Sequence, residues 1–183
     1  MTTPTESEIE KGGNRRSAAR LAAVQALYEM DMVDADADAV LEEFLRKRWS
    51  LDKNSDRGMP GTPGVSGAVA AYLNDDEVMG EDTPLTEPDR EWLGDVVHGV
   101  AANRNELDAP IAPALSEKWT IDRLETLIRV ILRAATFELK NKPSVPASVI
   151  INEYLDVAHA FFEGPETGLI NGVLDRLARD LRS

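Results

Sequence analysis

Wherever apolar residues gather in this chain they recur every three or four positions, and nowhere do they alternate with polar ones for long enough to make a strand. That period dictates helices with one buried face. It runs through Leu21, Val24, Leu27 and Tyr28; through Trp92, Leu93, Val96, Val97 and Val100; and through Leu124, Leu127, Ile128, Ile131, Leu132, Ala135 and Leu139. It returns in Ile151, Tyr154, Leu155, Ala158 and Phe162, and again in Ile170, Val173, Leu174, Leu177 and Leu181. Alanine, leucine and valine supply most of the apolar content and aromatics only 5%, a balance that favours packed helices over sheet. The expectation is an all-α fold, a compact helical domain of about six or seven helices.

Punctuation divides these stripes. A helix is expected from Asn14 to Met30 and a second from Ala35 to Trp49, the latter with both signs of charge on its outer face. Thr86 and Pro88 suit the cap and first turn of the next. Pro110 and Pro113 should break the short piece around Leu107, Ile111 and Leu115, and Thr120 can cap the long stripe that follows. Asn141 to Pro146 ends that helix, Gly164-Pro165 stops the one after it, and Thr167 can cap the last. Gly172, inside the final helix, costs about 1 kcal/mol relative to Ala, which points to close helix packing.

Residues 1–13 read as a disordered tail, and 14–183 as a single helical domain interrupted by a mobile acidic insertion at about 50–88. From Gly58 to Gly67 six of ten residues are Gly or Pro, and Asp75 to Glu87 is acidic with little to bury. At most a short helix at Ala68 to Leu73 is expected there.

Charge is distributed unevenly. The chain carries a net -13, but residues 1–30 hold four acids and four bases, residues 31–91 sixteen acids and six bases, and residues 92–183 thirteen and ten. The acidity is therefore mostly one segment, and a distant acidic segment need not veto a basic patch when the Debye length is about 8 Å. Such a patch opens the first helix, where Arg15, Arg16 and Arg20 precede the apolar stripe with no acid among them. Arginine is unfavourable at a helix start, where the macrodipole is positive, yet there it joins free backbone N–H groups in a site suited to phosphate.

Catalytic patterns are weak. No phosphate-loop, dinucleotide-binding or hydrolase-elbow motif occurs. The only two histidines sit in a repeated Asp-x-x-His, Asp95 with His98 and Asp156 with His159, the spacing of carboxylate-bridged metal bundles. At about 100° per residue these side chains fall off their helices' apolar stripes and point outward or sideways, so no metal centre, cofactor or enzymatic activity is expected. With no cysteine, a polar opening segment and no apolar run of about 18 residues, the expected protein is cytoplasmic, without disulfides or a membrane span.

Arg15 to Tyr28, RRSAARLAAVQALY, resembles the arginine-rich opening helix of the NusB family of transcription antitermination factors. HGVAANRNELD (98–108), ILRAATFEL (131–139), VPASVIINEYLDVAHAFF (145–162) and INGVLDRLARDLR (170–182) are similar to that family's later helices in order and spacing. The resemblance implies a non-enzymatic RNA-binding factor that pairs with NusE, a small-subunit ribosomal protein. Together they would bind boxA RNA of ribosomal RNA leader transcripts and join the RNA polymerase elongation complex to suppress termination. It further implies RNA-facing roles for Arg15, Arg16 and Arg20, with the loop Glu166, Thr167, Gly168 and Leu169 nearby, and partner-facing roles for Tyr28 and Asp122. Gly168 and Leu169 stand where many relatives carry a lysine and an aromatic, and Ile128 where an acid often precedes the I-L-R motif. The alternative is a helical protein-interaction module or self-associating homodimer without direct RNA recognition.

Overall fold

In the computed structural model, residues 6–49, 86–116 and 118–182 are described, with the backbone alone for 6–11, 48 and 49. Among them are seven α-helices and no strand: α1 Glu6–Val33, α2 Ala37–Trp49, α3 Arg90–Ala102, α4 Arg104–Ala114, α5 Thr126–Asn141, α6 Ala147–His159 and α7 Glu166–Arg182. A 3-10 turn, Ile121–Arg123, joins α4 to α5. The all-α expectation thus matches the architecture. Most of the segment read as an insertion, residues 50–85, lies outside the described residues, as do residues 1–5 of the expected tail.

α1 is the axis of the fold, packed by α2, α3, α5 and α6. Its sequence explains why: Ala19, Ala22, Ala23, Val24, Ala26 and Leu27 are all essentially inaccessible, so the helix is apolar nearly all round rather than along one stripe. The short alanine side chains let neighbouring helices come close on several sides. Leu21 and Tyr28, expected in the stripe, are only half-buried at its margin. The helix also begins at Glu6, eight residues before the expected start, so part of the expected tail is helical.

α5 forms the second spine. Ten of its residues are buried, and α7, α6, α4 and α3 all lean on it. The α3–α5 contact requires a glycine: a Cβ on Gly99 would lie 2.1 Å from the Phe137 ring. The expectation for Gly172 is overturned, because it is exposed with nothing within 4 Å of an added Cβ. Among the described residues no neighbouring helix comes close to it.

Other boundaries differ from expectation as well: Asp89, not Thr86 or Pro88, caps α3, and Thr167 lies inside α7. Pro110 and Pro113 lie inside α4 rather than breaking it, held there by burial of Leu107, Ile111 and Ala114. Thr120 precedes the 3-10 turn and makes no side-chain cap, and α5 starts six residues later. α6 ends at His159 instead of Glu163.

The C-terminus of α5 is closed by a distant side chain. A helix leaves its last carbonyls without partners, and Arg182 of α7 supplies them: its Nε donates to Leu139 O (2.6 Å) and its Nη2 to Glu138 O (3.2 Å) and Lys142 O (3.0 Å). Nη1 reaches Val145 O at 3.0 Å. One guanidinium thereby fixes both the helix end and the loop that leads into α6.

Candidate nucleic-acid interface

Because α1 runs back to Glu6, Arg15 and Arg16 stand several turns inside the helix, and their own backbone N–H groups are not those of a helix start. The expected combination of arginine side chains with free helix-terminal N–H groups is corrected accordingly. What remains is side-chain charge. Both arginines are exposed, and neither has a carboxylate partner among the described residues.

Arg20 is different. One turn further along, the helix sinks into the core and Arg20 goes with it, to 3% exposure. Its Nε and Nη2 donate to the two oxygens of Glu138 on α5 at 3.0 and 2.9 Å, and its Nη1 donates to Glu153 on α6 at 3.0 Å. Glu138 is wholly buried and accepts two further hydrogen bonds, from Trp92 Nε1 (3.0 Å) and the Tyr154 hydroxyl (2.9 Å). A carboxylate taken fully from water survives only when paired and hydrogen-bonded in this way. Burial alone would lower the Arg20 pKa, but the hydrogen bond and charge of Glu138 outweigh it and the guanidinium is held above its ordinary range. Burial, reinforced by the Glu138 charge, pushes the Tyr154 hydroxyl well above its usual value. The reading of Arg20 as RNA-facing is therefore corrected: its donors are spent inside, where they tie α1 to α5 and α6.

This buried network carries the exposed surface. Trp92, half-buried at the start of α3, has its indole N–H fixed by Glu138 and its ring surrounded by cations. The Arg16 guanidinium stands 4.8 Å from the ring centroid, Arg20 5.3 Å and the Lys142 ammonium 4.7 Å. The first turn of α3 is held to α1 as well, since Asp89 N donates to Arg15 O at 3.0 Å while its side chain caps Trp92 N at 3.1 Å. In the sequence Trp92 reads only as a member of a core stripe, and neither Lys142 nor Glu138 is among the expected site residues. A tryptophan at the edge of a stripe and a glutamate inside the apolar face of α5 were the available signals.

The remaining expected residues are dispersed. Glu166 to Leu169 form the first turn of α7 and not a loop, with Gly168 exposed and Leu169 packed on the core. α7 packs mainly on α5, α6 and α4. Tyr28 lies half-buried near the other end of α1. One turn beyond it Asp31 pairs with Arg104 (2.9 Å) and Arg133 (3.5 Å), and Arg133 binds both oxygens of Asp108 at 2.8 and 2.7 Å. Asp108 lines a shallow groove with Trp119, Ile121 and the exposed Asp122, so the ion pairs connect the Tyr28 end of α1 to the position of Asp122.

Asp95, His98, Asp156 and His159 are all exposed, and Asp95 and His98 pair with Lys142 and Asp38. Among the described residues no group of three or more His, Asp or Glu is placed to hold a metal ion, and no helix is long and apolar enough to cross a membrane.

Fold and surface together define an all-helical module that presents cations beside an aromatic ring held by a buried hydrogen-bond network. The NusB family model matches residues 63–179, beginning inside the segment read as an insertion. The transcription antitermination protein NusB of Caulobacter vibrioides is 40% identical over 173 residues, covering 93% of this chain and 98% of that protein. That of Bradyrhizobium sp. (strain ORS 278) is 36% identical over 98% of this chain and 90% of its own length. Among solved structures, T. maritima NusB superposes with a TM-score of 0.64 at 24% identity, covering 98% of this chain and 94% of the other. A NusB solved with NusE and double-stranded RNA gives 0.61 at 18% identity, with 90% and 96% covered. These two likenesses concern the fold. The chain belongs to the NusB family of transcription antitermination proteins.

Proposed function

We propose that this chain binds boxA RNA of ribosomal RNA leader transcripts together with NusE and carries that assembly to the RNA polymerase elongation complex, without catalysing a reaction. The observation that carries the reading is the division of labour among the arginines: Arg20 is consumed in the buried Glu138 network, while Arg15 and Arg16 project from the same helix without carboxylate partners among the described residues. Arginines held on a rigid frame position a phosphate backbone, and base-reading must come from additional groups. A family relative solved with NusE and double-stranded RNA supports the pairing of functions.

RNA contact is assigned to Arg15 and Arg16, with Arg20 as their positioning residue and the Glu166–Leu169 turn of α7 as a second contact. The NusE-facing surface is assigned to the other end of α1, where Tyr28 and the groove of Asp122 lie beside Trp119, exposed to 43%. Titration of a fluorescent boxA RNA with the chain, alone and with NusE, tests this. Tighter binding with NusE is expected; equal binding of an unrelated RNA of the same length, with no gain from NusE, would overturn it.

A further inference from the structure

We propose that the RNA surface extends beyond α1 onto the loop after α5, with Lys142 as a further phosphate-binding residue and Asp95 as the counter-ion it exchanges for RNA. This rests on the RNA-binding reading above and deepens it. Lys142 and Arg16 stand over the same indole, at 4.7 and 4.8 Å from its centroid, so two elements far apart in sequence place cations around one aromatic ring. The placement is rigid: Trp92 is anchored through Nε1 to Glu138, and the Lys142 backbone is held by its own N–H to Glu138 O (2.9 Å) and by Arg182 to its carbonyl.

The Lys142 ammonium is held on the outside by one exposed carboxylate, Asp95 Oδ2, at 2.6 Å. An exposed ion pair of this kind is weak in water, whereas a polyanionic strand laid along Arg15 and Arg16 would bring concentrated negative charge to the same ring. Exchange of Asp95 for a phosphate keeps Lys142 paired and releases a counter-ion from the strand. The chemistry selects a single-stranded phosphate backbone, with the pinned indole as an edge against which a sugar or base can rest.

The test is boxA RNA binding, with NusE present, by Lys142→Ala, Asp95→Asn and Arg15→Ala/Arg16→Ala across a salt series. Lys142→Ala should weaken binding about threefold to fivefold and reduce the salt slope by about 0.7, the share of one phosphate on a single strand. Asp95→Asn should tighten binding by a similar factor, with thermal stability of both variants near the parent. Unchanged affinity and slope for Lys142→Ala, alongside a large loss in the double arginine variant, would overturn the extension and leave the RNA reading standing. No loss in either would overturn both. Loss of NusE binding by Lys142→Ala with RNA affinity of the free chain unchanged would assign the loop to a protein partner and overturn the proposal.

Discussion

The two ends of α1 solve the same problem with the same chemistry and leave different surfaces. At the Arg20 end a single carboxylate, Glu138, is sealed from water and receives donors from Arg20, Trp92 and Tyr154. At the Asp31 end two acids and two arginines, Asp31 and Asp108 with Arg104 and Arg133, pair in a chain that still touches solvent. The second cluster balances its own charge, and beside it lies a groove with an exposed tryptophan. The first is closed as well, but Arg15 and Arg16 project just outside it without carboxylate partners among the described residues. One helix thus presents a charged end suited to a polyanion and a neutralised, partly apolar end suited to a protein.

The contrast can be broken first at its most buried point. Replacing Glu138 by Ala leaves Arg20 with Glu153 as its one carboxylate partner and orphans the Trp92 and Tyr154 donors, and should cost about 3–5 kcal/mol in chemical denaturation. A loss under 1 kcal/mol would mean that the network does not hold α1. Arg133→Ala, at the half-exposed end, should cost less, about 1–3 kcal/mol, and a cost equal to that of Glu138→Ala would erase the distinction between sealed and open clusters.

Tyr154→Phe keeps the ring and removes one donor from Glu138, for a loss of about 1 kcal/mol. It also has a pH signature. The folded-state pKa of Tyr154 is raised, so its contribution is fully present below the unfolded value of about 10 and is lost as pH rises beyond it. Unfolding midpoints above that pH should fall more steeply in the parent than in Tyr154→Phe. The smallest effect is expected from Arg15→Ala/Arg16→Ala, under about 1 kcal/mol, because these side chains are exposed and only Arg16 touches a ring. Thermal unfolding that drops far more would place these arginines in the frame and not on the surface.

Helical period alone exposed the architecture: the stripes on α3, α5, α6 and α7 are buried much as their spacing implied. α1 was harder, because alanine reads equally well as helix filler and as close packing, and four of its alanines turn out to sit at the centre of the fold. The arginines could be found as a cluster but not sorted. Whether Arg20 faces water depends on Glu138 and Glu153, more than a hundred residues away, and no local pattern reports such a partner. Lys142 and Trp92 were missed for the same reason, since their proximity exists only after α3 and α5 pack on α1. Gly172 shows the reverse failure, a local anomaly that suggests internal packing where none is found among the described residues.

The central claim, that Arg15 and Arg16 bind phosphate while Arg20 holds the helix, is tested most directly by the salt dependence of boxA RNA binding with NusE present. Arg15→Ala/Arg16→Ala should leave the fold intact, weaken binding and reduce the slope of log K against log salt by about 1.4, two phosphate contacts at 0.7 each. An unchanged slope and affinity in a folded double variant would contradict the account.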